Sequence, residues 1–474
     1  MDSRVSARSL ASSLGGWRTR EPAYEALADG IRLLCLDNRL APRTALPAER
    51  ELASALTISR TTVAAAYRSL RDSAHIESVR GSGSVTLPLR REELAGSAPG
   101  EGTIDLQQAS PPAWPGLAGV FAEIAGSAGA LVSRVGYDVI GRRDLREAIA
   151  EGYTRRGIPT TGGEVLVTTG AQSAIHLLAV VLLGRGDRVL IETPTYPHAA
   201  DALRREGGRL VGVPVSVDDG WDLDRAEQAF TRTLPVAAYL MPDFQNPTGR
   251  SMTSTERLSF VAGAERFGTV LIVDETTADL DIDRPDDPPA LVSADPSIVV
   301  RVGSLGKTVW GGLRIGWIRS DADLIRRLTA VRSAHELGTP EFEQAVATLL
   351  LPRMPEIAAQ RSSILRRGRD ALITALEERI PEWHVPHPYG GVSLWVGLDA
   401  PLSSALVMEC RSRGLFLSGG PRFSVDGGHD RRLRIPFTAS AEQLVRATDI
   451  LAESWAHVRS GAPALRVEHT ESVV

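Results

Sequence analysis

The sequence predicts an α/β protein in two parts, an N-terminal winged helix-turn-helix and a larger body that ends in a small α+β domain. The first observation is that apolar residues recur at helical spacing between residues 22 and 71, ahead of two short strand-like runs in 76–87. The second is that short apolar runs alternate with helical stretches from residue 104 onward. This alternation indicates a mostly parallel sheet that helices cover on both faces.

The N-terminal winged helix-turn-helix is called the head below. It begins with a helical pattern after Pro22, because four apolar residues there fall on one helix face: Tyr24, Leu27, Ile31 and Leu34. A second helical pattern covers residues 49–56, the segment 57–59 interrupts it, and Ser59 can cap a third helix over 60–71. Two strands around a Gly-Ser turn follow in 76–87. Residues 1–17 are expected to be a Ser-rich, poorly ordered start.

The helix that follows Ser59 is the candidate recognition helix, since the second helix of such a pair lies in the major groove with its N-terminal residues at the base edges. Arg60 can contact guanine, while Ser59, Thr61 and Thr62 suit phosphates or bases. The segment 80–83, with Arg80 and Gly83, suits a wing in which glycine allows close approach to the DNA backbone. The alternative is a small helical dimerisation module in which Arg60 is only a solvated surface residue.

Charge supports an anionic partner for this head. Residues 1–90 carry a net charge of +4, whereas the remainder carries −9. The string LPAERELASALTISRTTVAAAYRSL resembles the GntR-type winged helix over about residues 22–87. The resemblance implies DNA contacts by Arg50, Ser59, Arg60, Thr62 and Gly83. The wing departs from the family in having GSGSV for the usual GSGTxV, and Arg39 stands where the family often has Gly.

The predicted domains are a winged helix over 18–87, a linker over 88–103 and a body over 104–460, followed by a tail over 461–474. The linker is rich in Gly, Pro and charge. The body divides into a large domain over 104–354 and a small one over 355–460, which has a helix at 356–379. Strands are predicted at 165–168, 188–191, 210–213, 236–241, 270–273, 298–302, 391–398 and 433–437.

Lys307 is the only lysine among 53 basic residues, so it is a candidate for chemistry that arginine cannot perform. A lysine can lose its proton and attack a carbonyl, whereas a guanidinium stays charged. Ser304 lies three residues before it and Arg314 seven after it, in the Gly-rich string SLGKTVWGGLRIGW. A hydroxyl, a Schiff-base lysine and an arginine together suit a phosphorylated aldehyde.

Polar groups farther upstream complete a candidate site for pyridoxal 5'-phosphate. Asp274 ends a predicted strand and can pair with a pyridine nitrogen, while Asn246 in DFQNPTG can bond a phenolic oxygen. Tyr196 can stack on the ring, and the amides of Gly170, Ala171 and Gln172 open a helix that can face a phosphate. Singly, a strand-end Asp is more often a cap and NPTG more often a turn. Their order along one chain favours the cofactor site. No metal site is indicated.

The motifs YDVIGRRDLREAI, TTGAQSAI, ETPTYP, QNPTG, SLGK and LRIGW resemble fold-type I aminotransferases of class I and II over about residues 104–458. The resemblance implies Lys307 as the internal aldimine lysine and Asp274 as the partner of the pyridine nitrogen. It also implies that Tyr137 reaches the phosphate across a dimer interface and that Arg434 binds the carboxylate of a substrate or effector.

Head and body together resemble the MocR/GabR family, a GntR-type winged helix fused to an aminotransferase-like domain. Its members are dimers in which the head of one subunit lies near the body of the other. Two features of the sequence depart from the family pattern. Thr276 and Thr277 stand where a tyrosine usually bonds the phenolic oxygen, so residual transaminase activity is left open. His198 stands where γ-aminobutyrate-sensing members have Arg, so that effector is not implied.

Three functions are compatible with these features. The first is a pyridoxal-phosphate-dependent transcriptional regulator that senses the cofactor, an amine or an amino acid. The second is an aminotransferase with an accessory head, and the third is a DNA-binding protein with an inactive body. The retained lysine disfavours the third, and the complete recognition-helix pattern disfavours the second. The apolar run 177–183 is far shorter than the roughly 20 residues that span a bilayer, and the chain has only two cysteines. A cytoplasmic protein is therefore expected. The resemblance to the MocR/GabR family further implies a homodimer that binds an operator duplex.

Overall fold

The computed structural model describes residues 4–15, 17–18, 22–36, 39–79, 83–88, 102–286 and 288–460. The predicted wing residues 80–82, which include Arg80, lie outside these ranges, as do most of the predicted linker and the tail 461–474. Within the described ranges, no helix combines the length and the apolar character that crossing a bilayer requires.

The head contains the helix-turn-helix and hairpin that the sequence predicts. Its helices are Ala7–Leu14, Ala23–Leu36, Glu49–Leu56 and Arg60–Asp72, and its antiparallel strands are Ile76–Val79 and Gly83–Thr86. Leu27, Leu52, Val63 and Tyr67 meet in a common buried core. The Tyr67 hydroxyl also donates to the carbonyl of Pro47 at 2.9 Å, which fixes the loop before the helix-turn-helix.

The expectation of a poorly ordered start was wrong, because Ala7–Leu14 is a helix. The Ser6 side chain caps it by accepting from the Ser9 amide, and Leu10 and Leu14 are buried in the head core. These leucines are four residues apart and therefore lie on one helix face. The high Ser content of this segment obscures that helical spacing in the sequence.

The large sheet of the body has the mostly parallel order that the apolar runs predict. Its strands, in spatial order, are Val165–Thr168, Gly316–Arg319, Val299–Ser304, Val270–Asp274, Ala237–Leu240, Arg188–Thr193, Arg209–Ser216 and Gly220–Trp221. The central pairs are parallel, while Gly316–Arg319 and Gly220–Trp221 run antiparallel to their neighbours. Of the two middle strands, Ala237–Leu240 is buried along its whole length and Val270–Asp274 at every residue but Val270, as expected for a sheet covered on both faces.

Helices pack on both faces of this sheet. In chain order they are Leu117–Gly126, Ala128–Val132, Arg143–Arg155, Ala171–Leu182, Pro197–Arg205, Leu223–Thr233, Ser254–Phe267, Ala322–Arg332 and Glu341–Leu350. Short 3-10 segments lie at Gly162–Glu164, Gly311–Leu313, Leu351–Arg353 and Gly420–Phe423.

The C-terminal part forms a second α+β unit. Its antiparallel strands are Ser393–Gly397, Arg432–Pro436 and Ser418–Gly419, and its helices are Met354–Arg379, Ser403–Ser412 and Ala441–Ser460. The strand Leu415–Phe416 pairs in parallel with Ile104–Asp105, so the start of the body is hydrogen-bonded to this C-terminal unit. The segment that follows Asp105 contains Ala109, whose carbonyl accepts a hydrogen bond from Lys307.

The head is packed on the body through its second helix. Leu33 of Ala23–Leu36 is buried in the same apolar cluster as Leu406 and Cys410 of the C-terminal unit. The Ser12 hydroxyl adds a hydrogen bond to the carbonyl of Asp426 at 3.3 Å. The helix Arg60–Asp72 contributes no residue to that cluster, and Arg60 keeps 72% of its side-chain surface exposed.

Candidate functional site

The candidate cofactor residues gather where parallel strands end at one edge of the large sheet. Asp274 and Ser304 are the last residues of their strands, and Tyr196, Asn246 and Gly170 follow three others. In α/β sheets, the carboxyl ends of parallel strands are the usual place for a ligand. The predicted set of side chains is therefore brought to one edge by the sheet topology.

Asp274 is a buried carboxylate that is held by hydrogen bonds and has no cationic partner among the described residues. It is 1% exposed, and its Oδ2 accepts from the Tyr239 hydroxyl at 2.5 Å while Oδ1 accepts from the Thr276 amide at 2.9 Å. Burial raises the pKa of this carboxyl above its ordinary value. A cation or a protonated ring nitrogen beside it would restore the balance of charge.

Lys307 is half-buried, and its Nζ donates to the carbonyl of Ala109 at 2.5 Å. Burial lowers the pKa of this amine to about 8; the charge of Arg434 acts in the same direction, and that of Asp274 opposes it. About a tenth to a fifth of Lys307 is therefore neutral near physiological pH, far more than for an ordinary lysine. The neutral amine is the state that attacks a carbonyl.

An anion cradle lies at the start of the helix Ala171–Leu182. Gly170 precedes this helix with φ +83°, and no side chain caps the first amides. A Cβ on Gly316 would lie 2.5 Å from the Gly170 carbonyl carbon, so only glycine lets this strand approach so closely. Arg314 lies beside Gly170 and donates from Nη2 to the carbonyl of Thr169 at 3.0 Å. Uncapped amides and a nearby guanidinium suit a phosphate.

The hydroxyl of Ser304, predicted to bind a phosphate, is already hydrogen-bonded within the protein. Its hydroxyl donates to the Ile315 carbonyl at 3.0 Å and accepts from the Gly306 amide at 3.0 Å. The side chain thus supports the Gly-rich bend that carries Lys307. A contact between Ser304 and a phosphate would require its hydroxyl to turn away from Ile315.

Tyr196 and Asn246 lie on two loops, each with a cis peptide before proline, at Thr193-Pro194 and Asn246-Pro247. Tyr196 is half-buried, and burial together with Asp274 raises the pKa of its hydroxyl to about 12. Asn246 is 9% exposed, and its Oδ1 is buried without a hydrogen-bond partner among the described residues. Gln172 Oε1 is likewise buried without a hydrogen-bond partner among the described residues, although the side-chain Nε2 of Gln172 donates to the His198 carbonyl at 3.0 Å.

A buried network that the sequence did not reveal joins these two loops. Gln245 donates from Nε2 to the carbonyl of Pro194 at 2.7 Å and to Oε2 of Glu192 at 3.2 Å. Glu192 is fully buried and also accepts from Trp221 Nε1 at 2.9 Å and from the Met241 amide at 3.0 Å. Burial raises the pKa of Glu192 to about 8. Gln245 is itself the first residue of the QNPTG motif, which is the sequence signal that could have identified it.

Arg434 is 6% exposed, and its Nη2 donates to the Gln107 carbonyl. Its guanidinium carbon lies 4.8 Å from the centre of the Phe423 ring, and its Nε has no hydrogen-bond partner among the described residues. Burial lowers the pKa of Arg434 to about 10, which reflects the cost of holding this charge away from water. An incoming carboxylate would compensate that charge.

Arg422 and the imidazole of His198 lie on the side of the site that carries Arg434. Arg422 pairs with Asp201 at 3.0 Å, and the His198 ring meets Tyr196 edge-on at 5.4 Å between centroids. Burial, followed by the charge of Arg422, lowers the pKa of His198. His198 therefore lies at the ring of Tyr196, and the charge of Arg422 acts to lower the pKa of the Tyr196 hydroxyl.

The two threonines at the departure from the family pattern already have partners, a backbone carbonyl for Thr277 and the Asp274 carboxylate for Thr276. Thr277 is buried, and its hydroxyl donates to the Asp243 carbonyl at 2.7 Å. Thr276 contributes its amide to Asp274. Tyr239, from a neighbouring strand, is the phenol that contacts Asp274. Tyr137 is 74% exposed and lies in a surface segment of the single chain.

The candidate DNA-binding residues lie on the exposed side of the head. Ser59 caps its helix by accepting from the Thr62 amide at 3.1 Å, and its hydroxyl lies 2.7 Å from those of Thr61 and Thr62. Arg60 Nε is 3.2 Å from Glu49 Oε2. Arg50 is exposed, and Gly83 begins the second wing strand with φ +79° and open space beside it. The helix start thus presents donors and a cation to solvent.

Comparison with known proteins places both parts in families. The family aminotransferase class I and II matches residues 129–451, and the family of bacterial regulatory proteins called gntR matches residues 23–85. A 2-aminoadipate transaminase of Thermus thermophilus is 30% identical over 281 residues, which is 58% of this chain and 70% of that protein.

Similar proteins also include transcriptional regulators. The uncharacterized HTH-type transcriptional regulator YdfD of Bacillus subtilis is 26% identical over 437 residues, which is 84% of this chain and 89% of that protein. The HTH-type transcriptional regulator NorG of Staphylococcus aureus is 28% identical over 64% of this chain and 68% of its own length.

Among solved structures, the α-aminoadipate aminotransferase LysN of Thermus thermophilus, complexed with N-(5'-phosphopyridoxyl)-L-leucine, is similar with a TM-score of 0.70 and 26% identity. The match covers 76% of this chain and 94% of that one. The body therefore has the fold-type I aminotransferase fold, and the head is a gntR-family winged helix. The chain belongs to the aminotransferase class I and II family and, through the fusion of these two parts, to the MocR/GabR family.

Proposed function

We propose that this chain is a transcriptional regulator that binds an operator through its head and pyridoxal 5'-phosphate, together with an amine or amino-acid effector, through its body. The observation that carries the proposal is Lys307. The only lysine of the chain is half-buried at the sheet edge that holds Asp274, and its pKa is lowered to about 8. Neither a surface lysine nor a purely structural body accounts for that placement.

The residues present fit the cofactor. Asn246 Oδ1 and Gln172 Oε1 are buried without hydrogen-bond partners among the described residues, and the close approach of Gly316 to Gly170 keeps the uncapped helix start open to a phosphate. When bound, pyridoxal phosphate supplies an aldehyde that condenses with amines and a ring that takes up electrons. Ser304, Arg314 and the amides of 170–172 would hold its phosphate.

The remaining residues would orient the ring and the effector. Asp274 would hold a proton on the ring nitrogen, Tyr196 would stack on the ring, and Asn246 would bond its phenolic oxygen. Arg434 would bind the carboxylate of the effector. Tyr137, which is exposed in the single chain, would reach the phosphate site of a second subunit in a homodimer.

The head would bind duplex DNA through the helix Arg60–Asp72. Arg60 would contact a base edge, Ser59, Thr61 and Thr62 would contact bases or phosphates, and Arg50 and Gly83 would lie along the backbone. Two heads in a homodimer imply two half-sites in the operator. Arg80 lies outside the described residues, and its role in the wing stays a prediction.

An aminotransferase is the second candidate, because a transaminase is among the similar proteins and Lys307 and Asp274 are both present. The Thr277 hydroxyl, held by the Asp243 carbonyl, does not supply the phenol that the family usually places at this position. A footprint on the DNA upstream of the chain's own gene distinguishes the two functions. A protected site in the presence of cofactor supports the regulator. Steady transamination without any protected site would favour the enzyme.

A further inference from the structure

A second cavity lies in the body behind the turn that carries Asn246. It has a volume of about 540 Å³, within the range of small-molecule pockets. It is lined by residues 248–254, 284–286, 288–289 and 386–389, together with Val217. None of the residues assigned above to the cofactor, the effector or DNA lines this cavity.

Prolines and an aromatic ring form one part of the cavity wall. Pro285, Pro386 and Pro388 line it together with Tyr389, whose side chain is 51% exposed. Gly249 closes one side, because a Cβ at this position would lie 2.7 Å from Cβ of Pro388. Flat pyrrolidine faces and a phenol ring suit a planar ring as the ligand.

Arg250 supplies a cation that has no ion-pair partner within the described part of the chain. It is half-buried, its Nε is fully buried with no hydrogen bond, and it makes no ion pair among the described residues. The nearby carboxylate of Glu256 accepts instead from the Trp221 amide at 3.0 Å and from the Thr253 amide at 2.6 Å. A guanidinium in this condition favours a carboxylate ligand.

The other charged groups of the cavity are placed differently. Arg284 also lines it, but its Nη1 is bound to Asp243 at 2.6 Å and its Nε lies 3.4 Å from Asp281. Asp286 and His387 are exposed at the mouth. Arg250 is therefore the cation that is available to a ligand inside the cavity.

We propose that this cavity binds a small aromatic carboxylate, whose carboxylate pairs with Arg250 while its ring lies against the prolines and Tyr389. This site is separate from the effector site at Arg434 and adjoins the cofactor turn from behind. Gln245 connects the two, because its amide donates to the Arg250 carbonyl at 2.8 Å and its side chain bonds Glu192 and Pro194.

The test uses the full-length, cofactor-loaded protein, with benzoate as the probe and benzamide as its uncharged counterpart. Binding is measured by calorimetry and by ligand-observed NMR. We expect benzoate to bind and benzamide to bind at least about tenfold more weakly, since the amide lacks the charge-assisted bond. R250Q should weaken benzoate binding by about tenfold or more, whereas R225Q, which removes an exposed charge elsewhere in the body, should not change it.

Two further variants distinguish this cavity from the effector site. R434Q should leave benzoate binding intact, and S254W, which fills the cavity while keeping Arg250, should abolish it in a protein whose thermal unfolding is unchanged. Benzoate binding that is lost in R434Q but kept in R250Q would overturn the proposal, because the probe would then occupy the effector site. Absence of benzoate binding to the wild-type protein would overturn it as well.

Discussion

The candidate functional groups are buried in the body and exposed to solvent in the head. In the body, Asp274 is 1% exposed, and Lys307, Asn246 and Arg434 are at least half-buried within a hydrogen-bonded framework. In the head, Arg60 is 72% exposed and, among the residues described, forms its ion pair with Glu49. The proposed cofactor site is therefore preorganised by the fold, whereas the proposed DNA-binding surface would gain its contacts from the duplex. Substitutions in the body should have steep effects on one ligand, and substitutions in the head graded effects that depend on salt.

The largest expected effect is that of K307A. No other side chain of the protein carries a primary amine, so borohydride treatment of the cofactor-loaded wild-type protein should fix one adduct, and the variant should fix none. Mass spectrometry of the intact protein and of its peptides measures the adduct. The N-terminal amine, present in both proteins, serves as the internal control. An adduct of equal yield in K307A would show that Lys307 is not the attachment point.

The next largest effect is expected for D274N. The amide cannot hold a proton on the ring nitrogen as the carboxylate does, and loss of that charge-assisted bond should weaken cofactor binding by about 10- to 100-fold. Y239F, which removes only the hydroxyl that donates to Asp274, is the matched variant and should have a smaller effect. Equilibrium dialysis of the cofactor measures both. Unchanged affinity in D274N would contradict the role assigned to this carboxylate.

In the head, R60A should cost about 1–3 kcal/mol at the cognate operator and relax sequence specificity there. R50A should instead weaken binding to all sequences similarly and reduce the slope of log K against log salt by about one unit. Fluorescence anisotropy with cognate and scrambled duplexes over a range of salt concentrations separates the two effects. Equal losses on both duplexes in R60A would assign Arg60 to the phosphates.

The smallest effect is a pH dependence of cofactor loading. Only the neutral amine of Lys307 attacks an aldehyde, and its pKa is lowered to about 8. Below that pH the loading rate should fall by about tenfold per pH unit, and above it the rate should level off. Stopped-flow absorbance of apoprotein mixed with cofactor measures the rate, and a lysine analogue free in solution is the control. A protein rate that keeps rising beyond pH 9, as expected for the analogue, would contradict a lowered pKa.

The same contrast explains what the sequence predicted. The head is encoded in one contiguous string, in which the spacing of Leu27, Ile31 and Leu34 and the cap at Ser59 are local properties. The residues of the body are distant in sequence, yet Lys307 and Asp274 could be identified because a lone lysine and a strand-end aspartate are local signals too. Their predicted roles as cofactor ligands remain predictions.

Contacts that depend on tertiary packing were not predicted. The bond from Tyr239 to Asp274 joins neighbouring strands, and the bond from Lys307 to Ala109 spans 198 residues. Glu192 and Gln245 meet only because two loops converge at the sheet edge. The helix Ala7–Leu14 was missed for a different reason, since its two buried leucines are too few to stand out among serines.

The measurement that tests the central claim most directly is the affinity of the full-length protein for its operator with and without pyridoxal phosphate, in the wild type and in K307A. If the body regulates the head, the cofactor or an added amine should change the wild-type affinity by about fivefold or more. The same additions should leave K307A unchanged. Specific operator binding by the wild-type protein that is identical under all these conditions would contradict the account, since the body would then be only a structural support for the head.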